Sequence, residues 1–199
     1  MFIKRLFLGS YRRLRKYTFI KINIFFSLII FLLREFFLGF ENANNYLRQV
    51  SQPCIIPILK LRGAKIGKKC NIQSGITFHN CKNYSNLIVG ENCHIGKNCF
   101  FDLRDEIIIS SNVVIAMNNT FITHLDMNNS NLREIYPATQ DKIEVHNDVY
   151  IGTNCTILKG VIIHSQTIIG ANSLVNKNTE SKHIYAGTPA TKVKEIDGV

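Results

Sequence analysis

At 199 residues, 46% apolar and 19% charged, the chain has enough core-forming side chains for one folded domain plus an appendage, which excludes a disordered polymer. A formal charge of +10 would suit a polyanionic partner, but residues 1–65 hold 12 Lys and Arg against 2 acids while residues 66–199 hold 12 against 12. The excess is confined to the first third, which argues against nucleic acid as a partner of the main body.

That first third contains the apolar run Ile22–Leu33, bracketed by Lys21 and Arg34 and preceded by Lys4, Arg5, Arg12, Arg13, Arg15 and Lys16. Twelve uncharged residues are too few to cross a bilayer, which takes roughly 20 in a helix. No small-residue cleavage site follows, because Arg34-Glu35-Phe36-Phe37-Leu38 is bulky, so a signal peptide is disfavoured. Two readings remain. Residues 1–40 form a basic helix on an anionic membrane surface, where each cation contributes about 1 kcal/mol, or a helix packed on a neighbouring subunit.

From Ile66 onward a six-residue period takes over. Rungs begin at Ile66, Ile72, Val89, Ile95, Ile109, Ile115, Val145, Ile151, Ile157, Ile163 and Ile169. Neither the two-residue period of a half-buried strand nor the 3.6 of a helix gives six. The fourth place reads Lys69, Gly75, Asn92, Asn98, Asn112, Asn118, Asp148, Asn154, Gly160, Gln166 and Asn172, residue types suited mostly to positive φ, so a corner is expected there. The fifth place includes Cys70, Cys93, Cys99 and Cys155, expected as compact core fillers in a reducing cytosol. Cys54 and Cys81 lie outside the rungs. Short flat strands joined by tight corners make a mainly β solenoid, with rungs stacked about 4.8 Å apart. Spacing alone leaves its hand open.

Four stretches carry a resemblance: Leu61-Arg62-Gly63-Ala64-Lys65-Ile66-Gly67, Val149-Tyr150-Ile151-Gly152-Thr153-Asn154, Ile169-Gly170-Ala171-Asn172-Ser173 and Tyr185-Ala186-Gly187-Thr188-Pro189-Ala190. Over residues 60–197 the chain resembles the hexapeptide-repeat acyltransferases, among them the galactoside, maltose and capsular-polysaccharide O-acetyltransferases. The resemblance implies a left-handed parallel β-helix, a homotrimer with sites between subunits, and direct acetyl transfer from acetyl-CoA to a saccharide hydroxyl. Together with the charge and apolar pattern of the first third, this gives the expectation of residues 1–60 as a helical, membrane-associated segment, 61–180 as the β-helix with an inserted loop at 125–144, and 181–199 as a C-terminal extension.

The same resemblance places the catalytic base at His124, just after Ile115-Ala116-Met117-Asn118. Imidazole titrates near 6.5 when unperturbed, so a proton-accepting form exists at neutral pH. Asp126, two residues on, is a candidate to orient that ring or hold substrate, or else a solvated loop carboxylate. Asn98 aligns with a family asparagine near the site but also occupies a corner place. For acetyl-CoA the resemblance implies Thr153, Ala171, Asn176 and Lys177 along the pantetheine arm, with Lys192 and Lys194 near the phosphates. No metal is expected: the related carbonic anhydrases use two histidines five apart, whereas the gaps here are 15, 30, 22, 18 and 19. The insertion beside His124 reads as an acceptor-binding flap. An enzyme of surface-polysaccharide biosynthesis at the inner face of the cytoplasmic membrane is the leading expectation. N-acetylation of a nucleotide-linked amino sugar and a metal-binding or scaffolding β-helix without transferase activity are its rivals.

Overall fold

The computed structural model describes residues 2–197, with residues 2–17 described by their backbone alone. The side chains of Lys4, Arg5, Arg12, Arg13, Arg15 and Lys16 therefore lie outside the described residues. Three helices come first: α1 (Phe2–Leu38), α2 (Phe40–Tyr46) and α3 (Gln52–Leu61). Gly39, at φ 81°, ends α1 and donates its N–H to Glu35 O at 3.0 Å, a left-handed stop that glycine adopts without a Cβ clash. Among the described residues no helix is long and apolar enough to cross a membrane.

Five coils of parallel β-helix follow. The first holds β1 (Lys65–Ile66), β2 (Asn71–Ile72) and β3 (Thr77–His79); the second, β4 (Leu87–Val89), β5 (His94–Ile95) and β6 (Phe100–Asp102). The third holds β7 (Ile107–Ile109), β8 (Val114–Ile115) and β9 (Thr120–Ile122), and is followed by β10 (His124–Leu125) and β11 (Thr139–Gln140), an antiparallel pair outside the coil. The fourth holds β12 (Ile143–Val145), β13 (Tyr150–Ile151) and β14 (Thr156–Leu158), and the fifth β15 (Ile162–Ile163), β16 (Ile168–Ile169) and β17 (Leu174–Val175). A closing hairpin of β18 (His183–Ala186) and β19 (Thr191–Glu195) extends the second face of the prism. The first strands of all coils stack as one sheet, the second strands as another and the third as another.

Each predicted rung residue is buried, from Ile66 at 7% exposed to Ile72, Ile95 and Ile163 at zero. All eleven predicted corners have positive φ, and Asn92–Asn112 and Asn154–Asn172 are linked side chain to side chain at 3.0 and 2.7 Å between coils. Searching for Ile and Val missed a column. Phe78, Phe101, Phe121 and Val175 hold the rung places of the third face, in register with Ile157. Phe101 stacks on Phe121 with centroids 4.8 Å apart and on Phe78 at 5.7 Å. The column continues out of the coil through Tyr84, 5.0 Å from Phe78, to Phe31 of α1 and Phe40 of α2. Burial pushes the Tyr84 hydroxyl well up from its ordinary value and keeps it a donor, here to Asn44 Oδ1, while Asn44 Nδ2 bonds Phe78 O at 2.8 Å. The helices are thus fastened to the third face by packing and by a satisfied buried polar pair.

Cys93, Cys99 and Cys155 are buried fillers as expected, Cys70 is only half-buried in the first coil, and all six cysteines are free thiols. Cys54 is buried in α3. Burial pushes Cys99 up to about 11 and, with help from Glu41 and Asp102, Cys81 up to about 12, so neither supplies a thiolate at neutral pH.

Candidate active site

Where the coils depart from the hexapeptide, they do so at one edge. Val89 follows Ile66 by 23 residues, five more than three hexapeptides; Ile109 follows Val89 by 20, two more; Val145 follows Ile109 by 36, eighteen more; Ile163 follows Val145 by 18, with no excess. All the extra chain leaves between the third strand of one coil and the first strand of the next. The inserted loop starts there, and the coil resumes with β12 at Ile143, two residues earlier than the rung pattern indicated.

His124 sits at the root of that loop, paired across β10–β11 with Gln140. Its Nδ1 lies 2.5 Å from Asp102 Oδ2, with the two side chains 19% and 1% exposed. Asp102 ends β6 in the coil below, and its carboxylate is fully engaged. Oδ2 also accepts from Thr123 N at 3.0 Å and Thr123 Oγ1 at 2.9 Å, and Oδ1 accepts from Asn80 Nδ2 at 2.9 Å. Burial alone would push this carboxyl up, but the bonds from His124, Asn80 and Thr123 outweigh it and hold the group below the ordinary carboxylate value. An anion fixed at Nδ1 selects the tautomer with a proton there and leaves the Nε2 lone pair free to accept one.

Asp102 therefore orients the ring, one of the two roles for which Asp126 was a candidate. Asp126 makes no hydrogen bond to the ring; it accepts from Arg104 Nη1 at 3.0 Å and caps the loop through Asn128 N at 3.0 Å, and those two bonds, the backbone one first, lower its pKa. Sequence reasoning missed Asp102 because a carboxylate 22 residues before His124 carries no local motif. The available signal was a lone acid closing the otherwise apolar strand Phe100-Phe101-Asp102, next to the edge where the chain lengthens.

Asn98 is an exposed corner residue at φ 57°, at the opposite edge of the third face from His124. Thr153 and Ala171 stack on that same opposite edge, with the Thr153 hydroxyl donated to Met117 O at 2.8 Å. Asn176 and Lys177 are exposed and follow β17, on the His124 edge. Lys192 pairs with Glu180 at 2.6 Å on the surface, and Lys194 is exposed on β19. One copy of the chain therefore does not bring the six expected acetyl-CoA residues together. Among the described residues, no group of three or more His, Cys, Asp or Glu is arranged to hold a metal ion.

Two family models match the coils: "Bacterial transferase hexapeptide (six repeats)" over residues 142–177 and "Hexapeptide repeat of succinyl-transferase" over residues 86–123. Over both segments the chain carries the hexapeptide repeats of bacterial transferases. Its similarity to named relatives is partial. The galactoside O-acetyltransferase of Escherichia coli K12 is 32% identical over 114 residues, 54% of this chain and 56% of the relative, so the match spans little more than half of that protein. A galactoside O-acetyltransferase of Lactococcus lactis is 27% identical over 146 residues, 70% of this chain and 67% of the relative. The fold of this hexapeptide-repeat protein is also that of a Vibrio cholerae hexapeptide-repeat acetyltransferase solved with acetyl coenzyme A, with a TM-score of 0.66 at 23% identity, covering 78% of this chain and 86% of that one.

Proposed function

We propose that the protein is an acetyl-CoA-dependent O-acetyltransferase acting on a saccharide hydroxyl, with His124 as general base. The observation that carries this is the Asp102–His124 pair, a shielded anion holding an imidazole at the root of the inserted loop. In this reading the acceptor hydroxyl oxygen attacks the thioester carbonyl carbon while His124 Nε2 takes its proton. The carbon–sulfur bond then breaks, and the ring returns the proton to the departing CoA sulfur. Asp102 stabilises the transient imidazolium, and no covalent acyl-enzyme forms.

The donor would lie along Thr153 and Ala171, with Asn176 and Lys177 beside it and Lys192 and Lys194 near its phosphates. The first pair and the second pair stand on opposite edges of the third face, and in this reading the donor is held between two copies, one edge from each. This supports a homotrimer with three shared sites. The loop from Asp126 to Leu132, which borders a cleft of about 650 Å³, serves as the acceptor flap. The likeness to galactoside O-acetyltransferases favours a sugar acceptor, and the basic first helix favours work on surface polysaccharide at the inner face of the cytoplasmic membrane.

The test is acceptor-dependent thiol release from acetyl-CoA across a panel of sugars and amino sugars. For His124→Ala, kcat is expected to fall by about 10²–10⁴. Full turnover in a folded variant would overturn the assignment of the base, and turnover restricted to amino-sugar nucleotides would overturn the hydroxyl acceptor.

A further inference from the structure

Helix α1 is apolar on two sides, and the β-helix uses only one of them. Its inner side, Ile24, Ser27, Leu28 and Phe31, packs on α2, α3 and the aromatic column. Between residues 22 and 38 the sequence has only two charged side chains, Arg34 and Glu35, and both are turned to the protein. Arg34 lies over the Tyr46 ring at 5.0 Å and bonds Asn42, and Glu35 is paired with Arg62 at 2.6 Å. Asn23 likewise donates inward, to Ser51 Oγ at 3.1 Å.

What is left outside is a stripe without charge: Phe19, Ile22, Phe26, Leu33 and Phe37 at helical spacing, flanked by Phe25 and Phe36. Phe36 is 82% exposed, Phe37 71% and Phe19 63%, and the rings of Phe36 and Phe37 meet each other edge to face, centroids 4.9 Å apart, at the surface. At about 1.5 Å per residue the stripe runs roughly 27 Å, long enough to lie along a surface rather than to touch it at a point. The six basic residues at positions 4–16 of the same helix carry the matching charge signal. Bringing copies of α1 together would crowd those cations, whereas an anionic lipid surface neutralises them.

We infer that the outer stripe of α1 is the membrane-docking surface of this protein, lying flat in the interface of an anionic phospholipid bilayer with its inner side fixed to the β-helix. This rests on the membrane-side placement proposed above and assigns it to particular side chains. The cleft of about 390 Å³ lined by Glu41 of α2, His79, Asn80, Cys81, Lys82 and Arg104 joins the helical layer to the His124 edge, and Asn80 in that cleft bonds Asp102.

The experiment is vesicle flotation of the full chain, with vesicles of pure phosphatidylcholine and of phosphatidylcholine with phosphatidylglycerol. Wild type, Phe36→Asp with Phe37→Asp, and the control Val193→Glu, which adds charge at an exposed position of β19, are compared, with thermal melts confirming that each is folded. Wild type and control are expected to float with the anionic vesicles, and the double variant to partition at least about tenfold less, the effect of some 1.4 kcal/mol. If wild type stays with the unbound protein, the membrane placement itself fails. If the double variant floats as wild type does, the stripe assignment fails while the placement stands. A lower assembly mass for the double variant by sedimentation, with flotation unchanged, would make the stripe a subunit interface and overturn the inference.

Discussion

Replacing Asp102 by Asn isolates the charge of the buried carboxylate from its shape. The amide oxygen can still accept from Thr123 and from His124 Nδ1, and the amide nitrogen then faces Asn80, whose own amide can turn to present its oxygen. The ring keeps its place and its tautomer, but the imidazolium formed during proton transfer has lost its counter-charge in a site where Asp102 is 1% exposed. Depriving a buried ion of its partner costs about 3–5 kcal/mol, reduced here because the His124 ring retains some solvent access and the neutral bond survives, which leaves about 2–4 kcal/mol. At 1.36 kcal/mol per decade, kcat should drop by about 30- to 900-fold. The KM for acetyl-CoA should hold, because the expected donor contacts do not include Asp102. Steady-state thiol release with a saturating sugar acceptor measures both. A folded Asp102→Asn protein with wild-type kcat would refute the reasoning, since the carboxylate would then be only a structural ligand of Asn80 and Thr123.

Further expectations concern the scaffold. Asn112, at φ 61° with its side chain tied to Asn92, should tolerate Gly with little change in melting temperature, whereas Asn112→Ala should lose about 1–2 kcal/mol in denaturant unfolding. Phe101→Ala, in the middle of the aromatic column and fully buried, should lower unfolding free energy by about 3–5 kcal/mol. In acid, Asp102 is depressed in the fold, so its contribution is fully present above the unfolded carboxylate value near 3.9 and is lost as the pH falls through its lower folded value. Unfolding free energies of wild type and Asp102→Asn should therefore differ most near neutrality and converge once the pH has fallen through the lowered folded value of Asp102. A gap that widens in acid would contradict the sign.

The solenoid was legible in the sequence because it is a local code. A β-branched residue and a turn residue recur through eleven hexapeptides, and every predicted corner has positive φ, nine of the eleven at Asn, Asp or Gly, which adopt it most readily. The aromatic column escaped because Phe78, Phe101 and Phe121 satisfy burial without satisfying the Ile and Val pattern. His124 was singled out by its position, but its partner was not, because Asp102 reaches the ring across a coil rather than along the chain, whereas Asp126, near in sequence, bonds Arg104 and Asn128 instead. The two-sided character of α1 was half visible. Composition marked the segment as apolar and basic, but only packing reveals which side chains the protein leaves uncovered.

The confinement of every irregularity to one edge has a consequence for variation. Ile107 is paired with Ile143 and Phe121 with Ile157, so the stack closes above and below the inserted loop whatever its length. At the other two corners the spacing is held to six by neighbouring coils, and a single added residue would shift every strand behind it. Natural variants of this protein should therefore differ by insertions and deletions almost entirely along that edge, in the turns after β3 and β6 and above all between Asp126 and Tyr136. Exchanging that segment is the economical route to a new acceptor, because the spool around which it is wound does not register the change.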